Sequence, residues 1–232
     1  MVYVVSDIHG YPLEKFKEHL SSTGFSDDDF LYVLGDVIDR GTDGIKILRW
    51  LAELPNAELI LGNHEAMMLS CSFLFEEITD DSVSMLNDDS IGAFSDWMLN
   101  GGEQTLSALK DLSNEERSDI LHYLCDAPLY EAITVNDRDF LLTHSGLGSF
   151  DKNKKLSAYK EHDFLRTRPT TDTVYFDDII TVFGHTPTFV YGEQYRGKAL
   201  KTKTWINIDA GAAAGHPPMI LRLDDMKEFY FE

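Results

Sequence analysis

"FLYVLGDVIDRGTDG", residues 30–44, begins as an apolar run and then sets out Gly35, Asp36, Asp39, Arg40 and Gly41 in close succession. A buried strand can end in a glycine and one turn-forming polar residue, but so many charges call for a reason beyond the turn. The same pattern recurs along the chain. "VYVVSD" (2–7), "AELILGN" (57–63), "FLLTHSG" (140–146) and "IITVFGH" (179–185) are also apolar runs that stop at a polar or glycine-containing turn. Each reads as a strand buried on both faces. Helix-like stretches at about 12–22 and 43–54 separate the first three, so strand, helix, strand, helix, strand predicts an α/β domain with parallel central strands. The carboxyl ends of such strands form the edge where ligands bind, which brings Asp7, His9, Asp36, Asp39, Arg40, Asn63, His64, His144 and His185 toward one place.

The rest of the chain fits around that edge. Between about 64 and 125, "HEAMMLSCSFLFEEI", "AFSDWMLN", "EQTLSALKDL" and "NEERSDILHYLC" carry helical periodicity, and residues 66–125 read as a helical insertion or cap within a single domain spanning 1–232. A second set of strands is expected in "LYEAITV" (129–135), "TWINID" (204–209), "PMILRLD" (218–224) and "KEFYFE" (227–232), with "LGSFDKNKK" and "YGEQYRGKA" as loops. Cys71 and Cys125 stand far apart without metal-type spacing and read as buried free thiols.

Composition narrows the partners. A formal charge of -20 opposes a nucleic-acid backbone or an anionic membrane as the main partner, and no apolar stretch approaches the ~20 residues that span a bilayer. The N-terminal run lacks the basic region and cleavage site of a secretory signal, so a cytoplasmic location is expected. The oligomeric state is left open. "SDDD" (26–29), "EEITDD" (76–81) and "NDDS" (87–90) read as solvated acidic faces and loops, without the ligand spacing of a calcium loop.

The converging donors are nitrogen and oxygen only, which suits Mn²⁺, Fe or Zn²⁺ and not a thiolate-bound structural zinc. At i and i+2, Asp7 and His9 leave an extended backbone on one side and can reach the same ion. Singly, each motif has a plain explanation as a helix cap or a turn. Together they supply a full donor set, and His19, His122, His162 and His216 stay outside it.

Taken in order, "SDIHG", "GDVIDRG", "GNHE", "THSG" and "GHTP" resemble the motifs of the phosphoprotein phosphatases, bacterial and phage serine/threonine enzymes among them, within the calcineurin-like metallophosphoesterases. The resemblance runs from residue 5 to about 211 and ends with "INIDAGA". It implies a four-layered α/β/β/α sandwich and two divalent ions, Mn²⁺ being the first expectation. One ion would be held by Asp7, His9 and Asp36, the other by Asp36, Asn63, His144 and His185. Thr186 and Pro187 stand where the wider superfamily has a GHxH histidine. The resemblance further implies attack by a metal-bridging hydroxide, with His64 protonating the leaving oxygen, Asp39 holding its imidazolium, and Arg40, Arg168 and Asn63 binding the phosphoryl group. "FLRTRP" (164–169) reads as an extended segment, because Pro169 restricts the backbone of Arg168, and in it Arg166 occupies the place where family members carry tryptophan. Glu65, near a helix start, is expected to support the site without binding metal.

The activity that the resemblance implies is hydrolysis of phosphate monoesters, phosphoserine or phosphothreonine in proteins first of all, with a phosphoprotein or a small phosphorylated molecule as substrate. Related bacterial enzymes that cleave dinucleoside polyphosphates use almost the same motifs, which makes that activity the alternative. A metal-binding interaction module without activity is a third reading, disfavoured by the presence of His64, Asp39 and Arg40 beside the donors.

Overall fold

Side-chain alternation along the strands sorts the core into layers. On β1 (Val2–Val5), Val4 faces one way, and Tyr3 and Val5 face the other. Tyr3 and Val5 join Leu31 and Val33 of β2 (Phe30–Val33) beneath Phe16 and Leu20 of α1 (Leu13–Ser22) and Ile47, Leu48 and Leu51 of α2 (Gly44–Glu53). Spacings of three and four put those apolar residues on one face of each helix. Val4 instead meets Phe140 and Leu142 of β5 (Arg138–Thr143) and Val182 of β6 (Ile179–Phe183) in a core between two sheets. Leu141 and Phe183 point out of that second sheet, onto Trp205, Tyr159 and Phe164.

The computed structural model describes residues 1–75 and 87–232, so the "EEITDD" stretch lies outside the described residues. With β3 (Ala57–Leu59), β4 (Tyr130–Val135), β7 (Leu200–Lys201), β8 (Trp205–Asn207), β9 (Ile220–Arg222) and β10 (Lys227–Phe229), the sheets run β10-β9-β1-β2-β3 and β4-β5-β6-β8-β7. β1, β2 and β3 are parallel, as are β5, β6 and β8, while β9, β10, β4 and β7 join antiparallel. The result is the expected α/β sandwich, two mixed sheets flanked by helices.

Some boundaries and burials differ from the sequence reading. β2 and β3 are not buried on both faces. Phe30, Tyr32, Ala57 and Glu58 are half-buried, because β3 is a sheet edge and Tyr32 lies with Val2, Ile133 and Ile180 at the margin of the inter-sheet core. Cys71 is buried, but Cys125 is exposed near the end of the helix Asn114–Asp126, whose buried residues are Ile120 and Leu124. "NDDS" is a solvated acidic face, as expected, and it forms the start of a helix. Asn87 caps it by accepting from Ser90 N at 3.0 Å, and Asp88 and Asp89 sit in the first turn, where the helix dipole favours them.

After β3 come α3 (Asn63–Leu69), α4 (Asp88–Leu99), α5 (Glu103–Lys110) and α6 (Asn114–Asp126). Trp97, Leu109, Ile120 and Leu124 belong to the same core as Tyr3 and Val33. These helices therefore continue the outer layer over the first sheet. A short α7 (Glu161–Leu165) covers the second sheet, and the first residues of "FLRTRP" complete it where sequence reading has an extended segment.

Candidate active site

At the ends of the parallel strands the backbone turns left-handed. Asp7 (φ 51°), His9 (46°), Asp36 (52°), Asp39 (69°), Arg40 (68°) and His185 (66°) all adopt positive φ. Such a conformation costs on the order of 1–3 kcal/mol per non-glycine residue, so it persists only where surroundings enforce it. Here the loops after β1 and β2 lace together, with Asp7 N donating to Gly35 O (3.1 Å), His9 N to Asp36 O (2.9 Å) and Gly10 N to Val37 O (2.7 Å). Glu65 completes the brace. Fully buried in the first turn of α3, it accepts from Asp36 N (2.8 Å), Val37 N (2.8 Å) and Ile38 N (3.2 Å). Burial and the nearby Asp36 push its carboxyl up to about 7. Gly62 is needed for this approach, since a Cβ there would lie 2.5 Å from both Asp36 Oδ1 and Glu65 Oε2.

Two triads of donor atoms result, and Asp36 is common to both. His9, Asp36 and His64 form one, Asp36, His144 and His185 the other, each with its donor atoms within 4.8 Å of one another. His9 Nε2 stands 3.7 Å from Asp36 Oδ2, and His144 Nε2 stands 3.5 Å from Asp36 Oδ1. His144 Nε2 also lies 2.9 Å from Asn63 Oδ1 and 3.2 Å from His185 Nδ1. Nδ1 of His9 meets Ile38 O (3.1 Å) and Nδ1 of His144 meets Leu34 O (2.8 Å), which fixes both rings with Nε2 turned inward. Burial pushes the imidazoles of His9 and His185 down to about 3 and lowers His144 too, leaving neutral rings with lone pairs to share. Burial raises the Asp36 carboxyl, but His144, His64, His9 and His185 reverse that and hold it below the ordinary range. This donor set fits a pair of divalent ions.

Asp7 stands slightly apart. One oxygen accepts from His185 N (2.8 Å) and Ser6 Oγ, and the other is 4.0 Å from His9 Nε2, so neither triad includes it. Burial, Asp209 and Asp36 raise its carboxyl well above the usual range.

His64 is held differently from the other rings. Its Nδ1 meets Asp39 Oδ2 at 2.6 Å. Burial alone would lower this imidazole, but Asp36 and Asp39 raise it, so it tends to keep a proton that its neighbours shed. Arg40 donates to Nε2 of His9 (3.2 Å) and of His64 (3.3 Å).

The cavity at this edge, about 420 Å³, is lined by His9, Asp36, Arg40, Asn63, His64 and His185 and also by Asn100, Arg166, Arg168 and Asp209. Arg166 and Arg168 are exposed, and their guanidinium groups have no hydrogen-bond or ion-pair partner among the described residues. Sequence reading missed Asp209. Buried, it accepts from Gly211 N (2.9 Å), and burial first, with Asp36, raises its carboxyl to about 7. Its one signal was its place in "INIDAGA" after a strand. Trp97 and Thr105, which bond Asp39, were equally hidden in the helical stretch.

The calcineurin-like phosphoesterase family model matches residues 1–216. A symmetrical bis(5'-nucleosyl)-tetraphosphatase of Buchnera aphidicola is 30% identical over 58% of this chain and 48% of its own length. The chain thus spans about half of that curated relative. An asymmetrical bis(5'-nucleosyl)-tetraphosphatase of Bacillus velezensis is 24% identical over 92% of this chain and 85% of its own. A crystal structure provisionally named as a diadenosine tetraphosphatase superposes with a TM-score of 0.64 over 99% of this chain and 92% of that one, at 18% identity.

Proposed function

This chain belongs to the calcineurin-like phosphoesterase family, and we propose that it is a metal-dependent phosphoesterase acting on dinucleoside polyphosphates. The observation that carries the substrate class is the arginine set. Arg40, Arg166 and Arg168 line one cavity in a chain of formal charge -20, and two of them have no partner among the described residues. A single phosphoryl group is served by two planar guanidinium forks, and a third in reach suits a neighbouring phosphoryl group of the same chain. The names of the Buchnera and Bacillus relatives support the same class.

Divalent ions held by these donors would supply Lewis acidity and lower the pKa of a bound water from 15.7 to about 7. The protein's own groups supply the rest. Arg40 binds phosphate after turning away from the nitrogens of His9 and His64, and Arg168 closes on the same group from the His185 side. Asp39 accepts from Nδ1 of His64 and stabilises the imidazolium, so once Arg40 has turned away, the second proton, on Nε2, is the one available to the departing phosphate oxygen. Arg166, beside His144, holds the next phosphoryl group.

The rival reading, a serine/threonine protein phosphatase, rests on the motif order. Metal-stripped protein reloaded with Mn²⁺ and given diadenosine tetraphosphate, a phosphoserine peptide and an aryl phosphate separates the two. The highest kcat/KM is expected on the dinucleotide. A higher value on the phosphopeptide would transfer the assignment to the rival.

A further inference from the structure

We propose that α4, α5 and the turn joining them form a positioning element for proton transfer, in which Trp97 and Thr105 hold Asp39 so that His64 faces the substrate. This rests on His64 being the acid. Trp97, fully buried, donates from Nε1 to Asp39 Oδ1 (3.1 Å) and Oδ2 (3.0 Å). Thr105 Oγ1 donates to Asp39 Oδ1 at 2.6 Å and accepts from Asp39 N at 2.9 Å. His64 takes the remaining direction, at Oδ2. Apart from that ring, the described residues that bond the carboxylate are Trp97 and Thr105, 58 and 66 positions along the chain.

The same turn secures the backbone of the motif. Arg40 N donates to Gly101 O (3.0 Å), and both Asp39 and Arg40 are left-handed. Gly101 has φ 102°, and a Cβ there would come within 2.8 Å of Arg40 Cγ. An Asp39 released from Trp97 and Thr105 could rotate about χ1 and lose the His64 bond. The imidazole would then be free to flip and would present the wrong nitrogen. The helical segment therefore acts on chemistry without touching substrate, through the orientation of one carboxylate.

Thr105→Val removes the hydroxyl at nearly constant shape, Thr105→Ser keeps it, and Trp97→Phe removes the indole N–H while keeping an aromatic ring. Each is reloaded with Mn²⁺ and assayed on phenyl phosphate and on 4-nitrophenyl phosphate, whose leaving group needs little protonation. Thr105→Val and Trp97→Phe are expected to lower kcat on phenyl phosphate by about 10-fold or more and to lower it less on the nitrophenyl ester. KM and bound metal per chain should stay at the wild-type values, and Thr105→Ser should recover most of the rate. In a His64→Asn background Thr105→Val should add no further loss, since both changes remove one step. Equal losses on the two esters, or additive losses in that background, would overturn the proposal while leaving the acid intact. A His64→Asn enzyme that slows equally on both esters would overturn the acid role and the proposal with it.

Discussion

The two halves of the site are built on opposite plans. The half on β1, β2 and β3 is cross-braced, with Glu65 gripping three backbone amides, Asp39 bonded on both oxygens and the loops after β1 and β2 laced by backbone bonds. The half on β5, β6 and β8 contributes His144, its ring fixed by Leu34 O, and His185, held to Asp7 through its backbone, but the guanidiniums of Arg166 and Arg168 stand at the cavity without partners among the described residues. Bracing is what donor atoms and a proton donor require, because an error of a fraction of an ångström is felt in the chemistry. Unpaired guanidiniums are what an incoming polyanion requires, because any internal partner would have to be displaced first. Under the proposed function, chemistry belongs to the first half and substrate reading to the second.

The change expected to break this division most thoroughly is Asp36→Asn. Asp36 is shared by both triads, so metal content measured after gel filtration should fall at both positions and turnover should drop to background. Next comes His64→Asn, which should retain the ion at Asp36, His144 and His185 and leave His9 and Asp36, with Asp7 4.0 Å from His9 Nε2, to hold the other. It should lose about 10²–10⁴-fold on an ester with a poor leaving group, read from kcat, and much less on one with a good leaving group. Glu65→Gln tests the bracing itself. Losing charge and one acceptor against three buried amides should cost about 1–3 kcal/mol, seen as a lowered denaturation midpoint in metal-free protein. In the open half the effects should be smaller. Arg168→Lys keeps charge but loses the fork, so it should reduce kcat about 10-fold, while Arg166→Lys should shift KM a few-fold. A larger kcat loss for Arg166→Lys would exchange the roles of the two arginines.

How much could be read without coordinates obeys the same division. The sandwich and the convergence of Asp7, Asp36, Asn63, His144 and His185 were legible because each residue follows the end of its strand by no more than four positions, and strand ends in a parallel sheet share an edge. The features that escaped reading act across long separations through residues that look like ordinary core. Trp97 sits on an amphipathic helix, and its indole N–H bond to Asp39 leaves no periodic mark. Thr105 is one hydroxyl among helix formers, and Asp209 marked the end of a motif without a role. The left-handed backbone at Asp39 and Arg40 was equally silent, since sequence favours glycine there and the strain is held by Thr105 and Gly101 from another helix pair. "FLRTRP" was read as extended because Pro169 restricts its neighbour, yet α7 runs to Leu165 and Thr167 pairs with Gly146.

The most direct test of the claim that the open half reads a polyphosphate is the ratio of kcat/KM on diadenosine tetraphosphate to that on 4-nitrophenyl phosphate, in wild type and in Arg166→Ala, with Mn²⁺ saturating. Truncating a guanidinium that pairs with a second phosphoryl group should cut the ratio by about 10-fold or more, through KM on the dinucleotide alone. A ratio unchanged by Arg166→Ala, or a loss shared equally by both substrates, would contradict a polyphosphate-reading role for this half of the site.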